Sequence, residues 1–349
     1  MNRIDFMQEK ISMSVDKVLR VENLVRHFDI SGGFLDQLKF RDRRLTRVKT
    51  IVKALNNVRF SIFPGETFSV VGESGCGKST LGRTVVGLHP PNSGKIFYKG
   101  ERIDNLNAKE MLPYRQKMQM VFQDPYASLN PRMTVQQILR EPVVFHNPDM
   151  PGKQVRERVA RIMDQVGVDP AWSFRYPHEF SGGQRQRISI ARALMVNPEF
   201  IVADEPISAL DVSIQAQILN LLMDAQEEHG LTYMFITHDL AVVERFSTRV
   251  AVMYLGTLCE VARTADLFSS PRHPYTQALM SAIPRLGRAG SKHIKLRGEV
   301  PTPIDLPSGC VFSGRCPHVR ERCLREAPQL MDMEDGTLVA CHGVEEKRI

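Results

Sequence analysis

Phe68-Ser69-Val70-Val71-Gly72-Glu73-Ser74-Gly75-Cys76-Gly77-Lys78-Ser79 is the stretch on which the fold turns. A short, almost continuous apolar run feeds a G-x-x-x-x-G-K-[ST] loop, and Lys78 to Gly87 continues as a helix. Strand, glycine loop and helix start are the context a phosphate cradle needs. The glycines let the backbone turn its N–H groups inward, and the helix start adds further free amides. In that setting Lys78 reaches the β- and γ-phosphates, Ser79 ligates Mg²⁺ and Thr80 follows on the same turn. Cys76 occupies a variable position of the loop and reads as a tolerated small residue.

Outward from the loop, residues 17 to 30 alternate loosely and predict an edge strand, and Ala54 to Ile62 predicts another alternating strand. From about Asn130 to Leu194 the pattern is helical, in segments Thr134 to Leu139, Gln154 to Val166 and Gln184 to Leu194. Buried-type strands return at Phe200 to Ala203, Tyr233 to Thr237 and Val250 to Tyr254. The expectation is an α/β chain whose parallel sheet is interrupted by a helical block. Past Pro271 the prolines multiply, which predicts a separate, irregular C-terminal module. No internal repeat or low-complexity tract is visible.

Ser181-Gly182-Gly183-Gln184 precedes the run Gln184 to Leu194, so Ser181 stands where an N-cap belongs, beside free amides. That makes a second anion site about a hundred residues from the first. A nucleotide shared between two copies reconciles the pair. Asp204-Glu205 closes the strand Phe200 to Ala203. An acid at that strand end suits Mg²⁺, and Glu205 suits polarisation of an attacking water. Alone, the two carboxylates read better as helix caps before Pro206; paired with the glycine loop they do not.

In its bulk the chain is ordinary: 349 residues, 42% hydrophobic and 24% charged. Met1 to Phe6 is charged and lacks the apolar region of a signal peptide. No run approaches the roughly eighteen apolar residues of a spanning helix. Of the +7 net charge, +5 falls between Asp36 and Lys53, where Lys39, Arg41, Arg43, Arg44, Arg47, Lys49 and Lys53 face Asp36 and Asp42. This stretch reads as a solvated insertion or as a basic loop for anionic headgroups or nucleic acid. The six cysteines are Cys76, Cys259, Cys310, Cys316, Cys323 and Cys341, and four of them crowd into the last forty residues. Without an export signal, reduced thiols are expected.

Taken in order, Gly72 to Ser79, Gln123 in Val121-Phe122-Gln123-Asp124-Pro125, Ser181 to Gln184, Asp204-Glu205, Ser208-Ala209-Leu210-Asp211 and Thr237-His238-Asp239 form a set. The set resembles the nucleotide-binding domain of ATP-binding cassette (ABC) transporters over roughly residues 17 to 270. The resemblance implies a P-loop NTPase of ABC type. It has a RecA-like core with a parallel sheet, an antiparallel β subdomain, a helical signature subdomain at about 125–195, and here a small Cys-containing C-terminal module over 271–349. It further implies that Gln123 touches Mg²⁺ and the attacking water, that Asp211 contacts the opposite subunit, and that His238 holds the γ-phosphate. Ser181 to Gln184 then faces ATP on the partner's loop. Phe28 resembles the family's aromatic platform for adenine, although a Phe at a strand end also reads as core.

Phe122 to Arg132, Tyr176-Pro177-His178-Glu179-Phe180, His273-Pro274-Tyr275-Thr276-Gln277-Ala278-Leu279, Gly298 to Pro303 and Pro307 to Cys310 are similar to the ATP-binding subunits of dipeptide and oligopeptide permeases. The likeness runs from about 18 to 343 and looks nearest the second ATPase of the dipeptide system. It implies a peripheral ATPase on the cytoplasmic face of the inner membrane. Its partners are a homologous second ATPase, two transmembrane permease subunits and an extracytoplasmic peptide-binding protein. Importers of nickel, glutathione or opines are similar systems, and a soluble ABC ATPase acting on nucleic acid or ribosomes is the rival class. Cys310-x5-Cys316-x6-Cys323-x17-Cys341 lacks the C-x2-C of zinc ribbons. Family members carry four cysteines arranged like these around a [4Fe-4S] cluster, and zinc or plain thiols are the alternatives.

Overall fold

The computed structural model describes residues 17–31, 38–41, 44–47, 49–283, 294–296, 298–299 and 301–349. The expectation for the chain start, and those for Asp36, Asp42 and Arg43, fall outside these residues. The strands are β1 (Leu19–Asp29), β2 (Leu38–Arg41), β3 (Arg44–Arg47), β4 (Ile51–Ile62), β5 (Thr67–Val71), β6 (Ser93–Tyr98) and β7 (Glu101–Arg102). After them come β8 (Met118–Val121), β9 (Phe200–Asp204), β10 (Thr232–Ile236), β11 (Arg249–Tyr254), β12 (Thr257–Arg263), β13 (Met331–Asp332) and β14 (Leu338–Val339).

Three sheets result among the described residues. An eight-stranded sheet runs β13-β14-β12-β11-β5-β10-β9-β8, parallel from β11 to β8 and antiparallel beyond β11. Every residue of β5, β9 and β10 is buried, as central strands covered on both faces require. A second, antiparallel sheet runs β4-β1-β6-β7, and β2 and β3 form a hairpin within the basic stretch. β1 is therefore an interior strand, not the edge strand its loose alternation predicted. It pairs with β4 on one side and β6 on the other, and its register shifts blur the period-two pattern.

The helical block holds Val135–His146, Gly152–Gln165 and Gly182–Leu194 around one apolar cluster that also takes in Ile201, Ala203, Tyr233 and Phe235. The first of these helices runs seven residues beyond the expected end at Leu139, continuing through Pro142 to His146 with Val143 buried. Its start is fixed by a capping box between Thr134 and Gln137.

The described C-terminal residues pack onto the main sheet. β14 pairs with β12 at Glu260↔Val339 and Val261↔Leu338. Phe312 is buried against Tyr254 and Tyr275, with ring centroids 5.3 and 5.4 Å apart. Three aromatics of this size each remove a large apolar area from water, at about 1.5–3 kcal/mol apiece. That burial ties the proline-rich region to the main sheet, a long-range packing that local composition cannot report.

At the mouth of the sheet, β5 ends at Val71 and the chain turns into the glycine loop. Gly72 has φ 153°, and a Cβ there would meet the Met253 carbonyl oxygen at 2.1 Å. Only glycine allows the loop to run this close to β11. The helix Lys78–Val85 follows, with Leu81 and Val85 buried in the same cluster as Val202 and Ile236.

Candidate functional site

A cleft of about 560 Å³ opens over the glycine loop, within the size range of small-molecule sites. Ser74 to Thr80 form its floor, Gln123, Glu205 and His238 one wall, and Phe28, Val52, Lys53 and Ala54 the other. Gly256 and Pro303 complete it. The topology explains the convergence: β5, β9 and β10 are adjacent and parallel, so their C-terminal ends deliver the loop, Asp204-Glu205 and Thr237-His238 to one place.

Lys78 is buried, and its ammonium donates to the carbonyls of Gly72 at 2.8 Å and Glu73 at 3.1 Å. Ser79 Oγ donates to Asp204 Oδ1 at 2.8 Å. Asp204 is fully buried, and burial pushes its carboxyl above the usual range while the Ser79 bond pulls the other way. Its second oxygen, Oδ2, has no hydrogen-bond partner among the described residues, with Arg83 3.9 Å away. A buried carboxylate oxygen left unpaired beside a hydroxyl fits a hard cation.

Glu205 adopts φ 46°, a left-handed conformation costly for a residue with a Cβ. Its amide donates to the Ile236 carbonyl at 2.9 Å, which holds the turn in place. The side chain accepts from Gln123 Nε2 at 2.9 Å and lies 3.6 Å from His238 Nδ1. An acid, an amide and an imidazole thus meet at the cleft wall beyond Ser79. Phe28 lines the opposite wall, half-buried, edge-on to His89 at 5.5 Å and with the Arg26 guanidinium 4.4 Å from its ring centre.

Ser181 to Gln184 stand elsewhere. Ser181 caps the helix Gly182–Leu194 through a capping box, accepting from the Gln184 amide at 3.3 Å while Gln184 Oε1 accepts from the Ser181 amide at 3.0 Å. Ser181 and Gly182 are exposed and do not line the cleft of their own chain. Asp211 is likewise exposed, an N-cap with no side-chain capping bond.

The four C-terminal cysteines share one region. Burial raises Cys310 to about 12, and raises Cys316 and Cys341, with each of these three also disfavoured as a thiolate by the other cysteines. Among the described residues no group of three or more His, Cys, Asp or Glu side chains is set to hold a metal ion. The expected [4Fe-4S] cluster at Cys310, Cys316, Cys323 and Cys341, and zinc in its place, are therefore not supported by this arrangement. Spacing along the chain could suggest four ligands but not whether their sulfurs converge.

Sequence reasoning did not place Val52, Lys53, Ala54, Gly256 or Pro303 at the site, although Lys53, Ala54 and Pro303 fell in stretches it read for other reasons. It also passed over two residues beneath the loop. Tyr275 OH accepts from the Glu73 amide at 3.0 Å, and Arg315 grips the Glu73 carboxylate at 2.8 and 3.2 Å.

Comparison with known proteins agrees with this geometry. The family model for the ABC transporter matches residues 55–208, and that for the oligopeptide/dipeptide transporter C-terminal region matches residues 259–323. A putative oligopeptide transport ATP-binding protein, YkfD of Bacillus subtilis, is 52% identical over 93% of this chain and 95% of its own length. The dipeptide transport ATP-binding protein DppF of Escherichia coli is 47% identical over 94% and 95%. The chain belongs to the oligopeptide/dipeptide family of ABC transporter ATP-binding subunits. Solved cassettes share the fold of this family member. A dimeric, post-hydrolysis state of the ATP-binding cassette MJ0796 bound to ADP and Pi superposes with a TM-score of 0.61, 29% identity, 70% of this chain and 98% of that one. CbiO1 of Clostridium perfringens, part of an ABC transporter complex, gives 0.60 at 28% identity, over 73% and 92%. No helix among the family member's described residues is long and apolar enough to cross a membrane.

Proposed function

We propose that the chain is the ATP-hydrolysing subunit of an importer of dipeptides or oligopeptides. The observation that carries the reading is the meeting of Lys78, Ser79, Gln123, Glu205 and His238 at one cleft while Ser181 stays exposed outside it. Lys78 exchanges its two carbonyl partners for phosphate oxygens. Glu205 accepts the proton of the attacking water, Gln123 orients that water, and His238 donates to the γ-phosphate. Ser79, Gln123 and Asp204 would hold Mg²⁺, whose bound charge offsets that of the phosphates. Phe28 would stack on adenine.

Ser181 to Gln184, with Ser181 and Gly182 exposed, and the exposed Asp211 then serve a second nucleotide, held on a homologous ATPase in a heterodimer. Two transmembrane permease subunits and an extracytoplasmic peptide-binding protein complete the assembly, with this chain peripheral on the cytoplasmic face of the inner membrane. The nucleotide-binding unit would span 17–270, with its helical part at about 125–195, and the C-terminal region 271–349.

Glu205→Gln tests the chemistry. It retains ATP binding and lowers turnover by roughly 10²–10⁴-fold, the usual worth of a general base; wild-type turnover in the variant removes Glu205 from the role. Four thiols with no carboxylate or imidazole among them are the donor chemistry of an iron–sulfur cluster. Iron and acid-labile sulfide, assayed on protein purified without oxygen, decide that finer proposal, and protein free of both leaves the cysteines as packed thiols.

A further inference from the structure

Glu73 lies inside the phosphate loop, yet its side chain is absent from the cleft lining and turns to the other side. There it meets Arg315, 242 residues away in sequence, in a two-pronged pair: Nη1 to Oε2 at 2.8 Å and Nη2 to Oε1 at 3.2 Å. The Arg315 side chain is only 9% exposed. Arg315 also reaches Tyr254 OH at 3.4 Å, and so is braced against the buried aromatic group of Tyr254, Tyr275 and Phe312. Tyr275, from the same group, accepts the Glu73 backbone amide at 3.0 Å. One residue of the loop is thus held at both its backbone and its carboxylate by the C-terminal region. A neighbouring backbone bond, Lys53 N–H to the Pro303 carbonyl at 2.8 Å, joins that region to the cleft wall as well.

We infer that Arg315 is a positioning residue for nucleotide binding: it neutralises the loop's own carboxylate and fixes it away from the phosphates, with Tyr275 holding the adjoining amide. The inference rests on the ATP reading of the cleft. A free Glu73 carboxylate in the loop would add a negative charge close to a polyanion and compete with it for Lys78. A forked guanidinium supplies both the charge and the geometry that keep it away, which a lysine supplies only in part.

The test is ATP affinity and turnover in full-length wild type, Arg315→Ala, Arg315→Lys, Glu73→Gln and the double variant Arg315→Ala/Glu73→Gln. Arg315→Ala weakens ATP binding roughly ten-fold with kcat nearly unchanged, and Arg315→Lys recovers part of the loss. Adding Glu73→Gln to Arg315→Ala restores most of the affinity, because the repelling charge is gone. A purely structural arginine would lower thermal stability without rescue by Glu73→Gln, and that pattern overturns the inference, as does unchanged affinity in Arg315→Ala. If the folded wild type binds no ATP in the same assay, the reading of the cleft itself fails. The two failures are therefore distinct.

Discussion

Ser79 Oγ and Asp204 Oδ1, 125 residues apart in sequence, stand 2.8 Å apart across the ends of β5 and β9. The bond satisfies one carboxylate oxygen and leaves Oδ2 buried and unpaired. On the proposed reading, that oxygen would face the bound Mg²⁺. Asp204→Asn keeps the shape and halves the acceptor capacity. Wild-type protein should bind ATP roughly ten-fold or more tightly in Mg²⁺ than in a chelator, and Asp204→Asn should lose most of that difference. ATP titrations of both proteins with and without Mg²⁺ measure it.

The glycine loop should respond very differently at two of its positions. At Gly72 an added methyl meets a backbone oxygen at 2.1 Å, whereas at Gly75, with φ 77°, nothing lies within 4 Å. Gly75→Ala then costs only the strain of a left-handed alanine, about 1 kcal/mol. Gly72→Ala must also move β5 from β11, and should cost several times more and abolish ATP binding. Thermal unfolding of the two variants ranks them.

His273 is buried, with Nδ1 accepting from the Tyr275 amide at 3.0 Å, and burial lowers its pKa from 6.5 to about 3. The unfolded chain therefore binds a proton that the folded chain refuses between those values. The contribution of His273 is fully present above pH 6.5 and falls as the pH drops toward 3, by about 2 kcal/mol between 6.5 and 5. The buried acids Glu66, Glu260 and Asp204, whose pKa values are raised, oppose this trend in the whole protein. His273→Asn keeps a cap acceptor that does not titrate. The stability of wild type relative to this variant should drop on acidification by that amount, and parallel curves would disprove it.

Ser181→Ala separates the two anion sites. Losing the capping box costs about 1 kcal/mol of stability. ATP affinity of the isolated chain should stay within about two-fold of wild type, since Ser181 is outside its own cleft, while turnover in the assembled transporter falls roughly ten-fold or more. An equal loss of binding in the isolated chain would contradict the shared-nucleotide arrangement.

Much of the core was legible because its signals are local. β5, β9, β10 and β11 are short apolar runs, the glycine loop follows one of them, and the capping box at Ser181 and Gln184 is a four-residue pattern. The rest depends on distance. β1 resembles an edge strand until β6 is known to cover its other side. Arg315 has no periodicity or motif of its own, and its role exists only once the chain has folded back onto Glu73. Tyr275 sat in a stretch singled out for its resemblance, yet nothing in that stretch tells a buried tyrosine from one whose hydroxyl ends on the phosphate loop. The four C-terminal cysteines do share one region of the fold, but their spacing in sequence does not say whether a cluster is held there.

The pairing of β14 with β12 has an effect beyond the cleft. β12 is an almost wholly buried strand, and β14 together with the Ala340 amide, bonded to the Cys259 carbonyl at 2.8 Å, occupies its outer side. A chain ended near residue 270 would present that side as a bare ladder of amides and carbonyls on an apolar strand, the kind of edge that recruits other chains. Such a fragment should precipitate more readily than the full chain during expression even with its glycine loop and Asp204 intact, so β14 and Ala340 would act as a guard on the edge of the sheet.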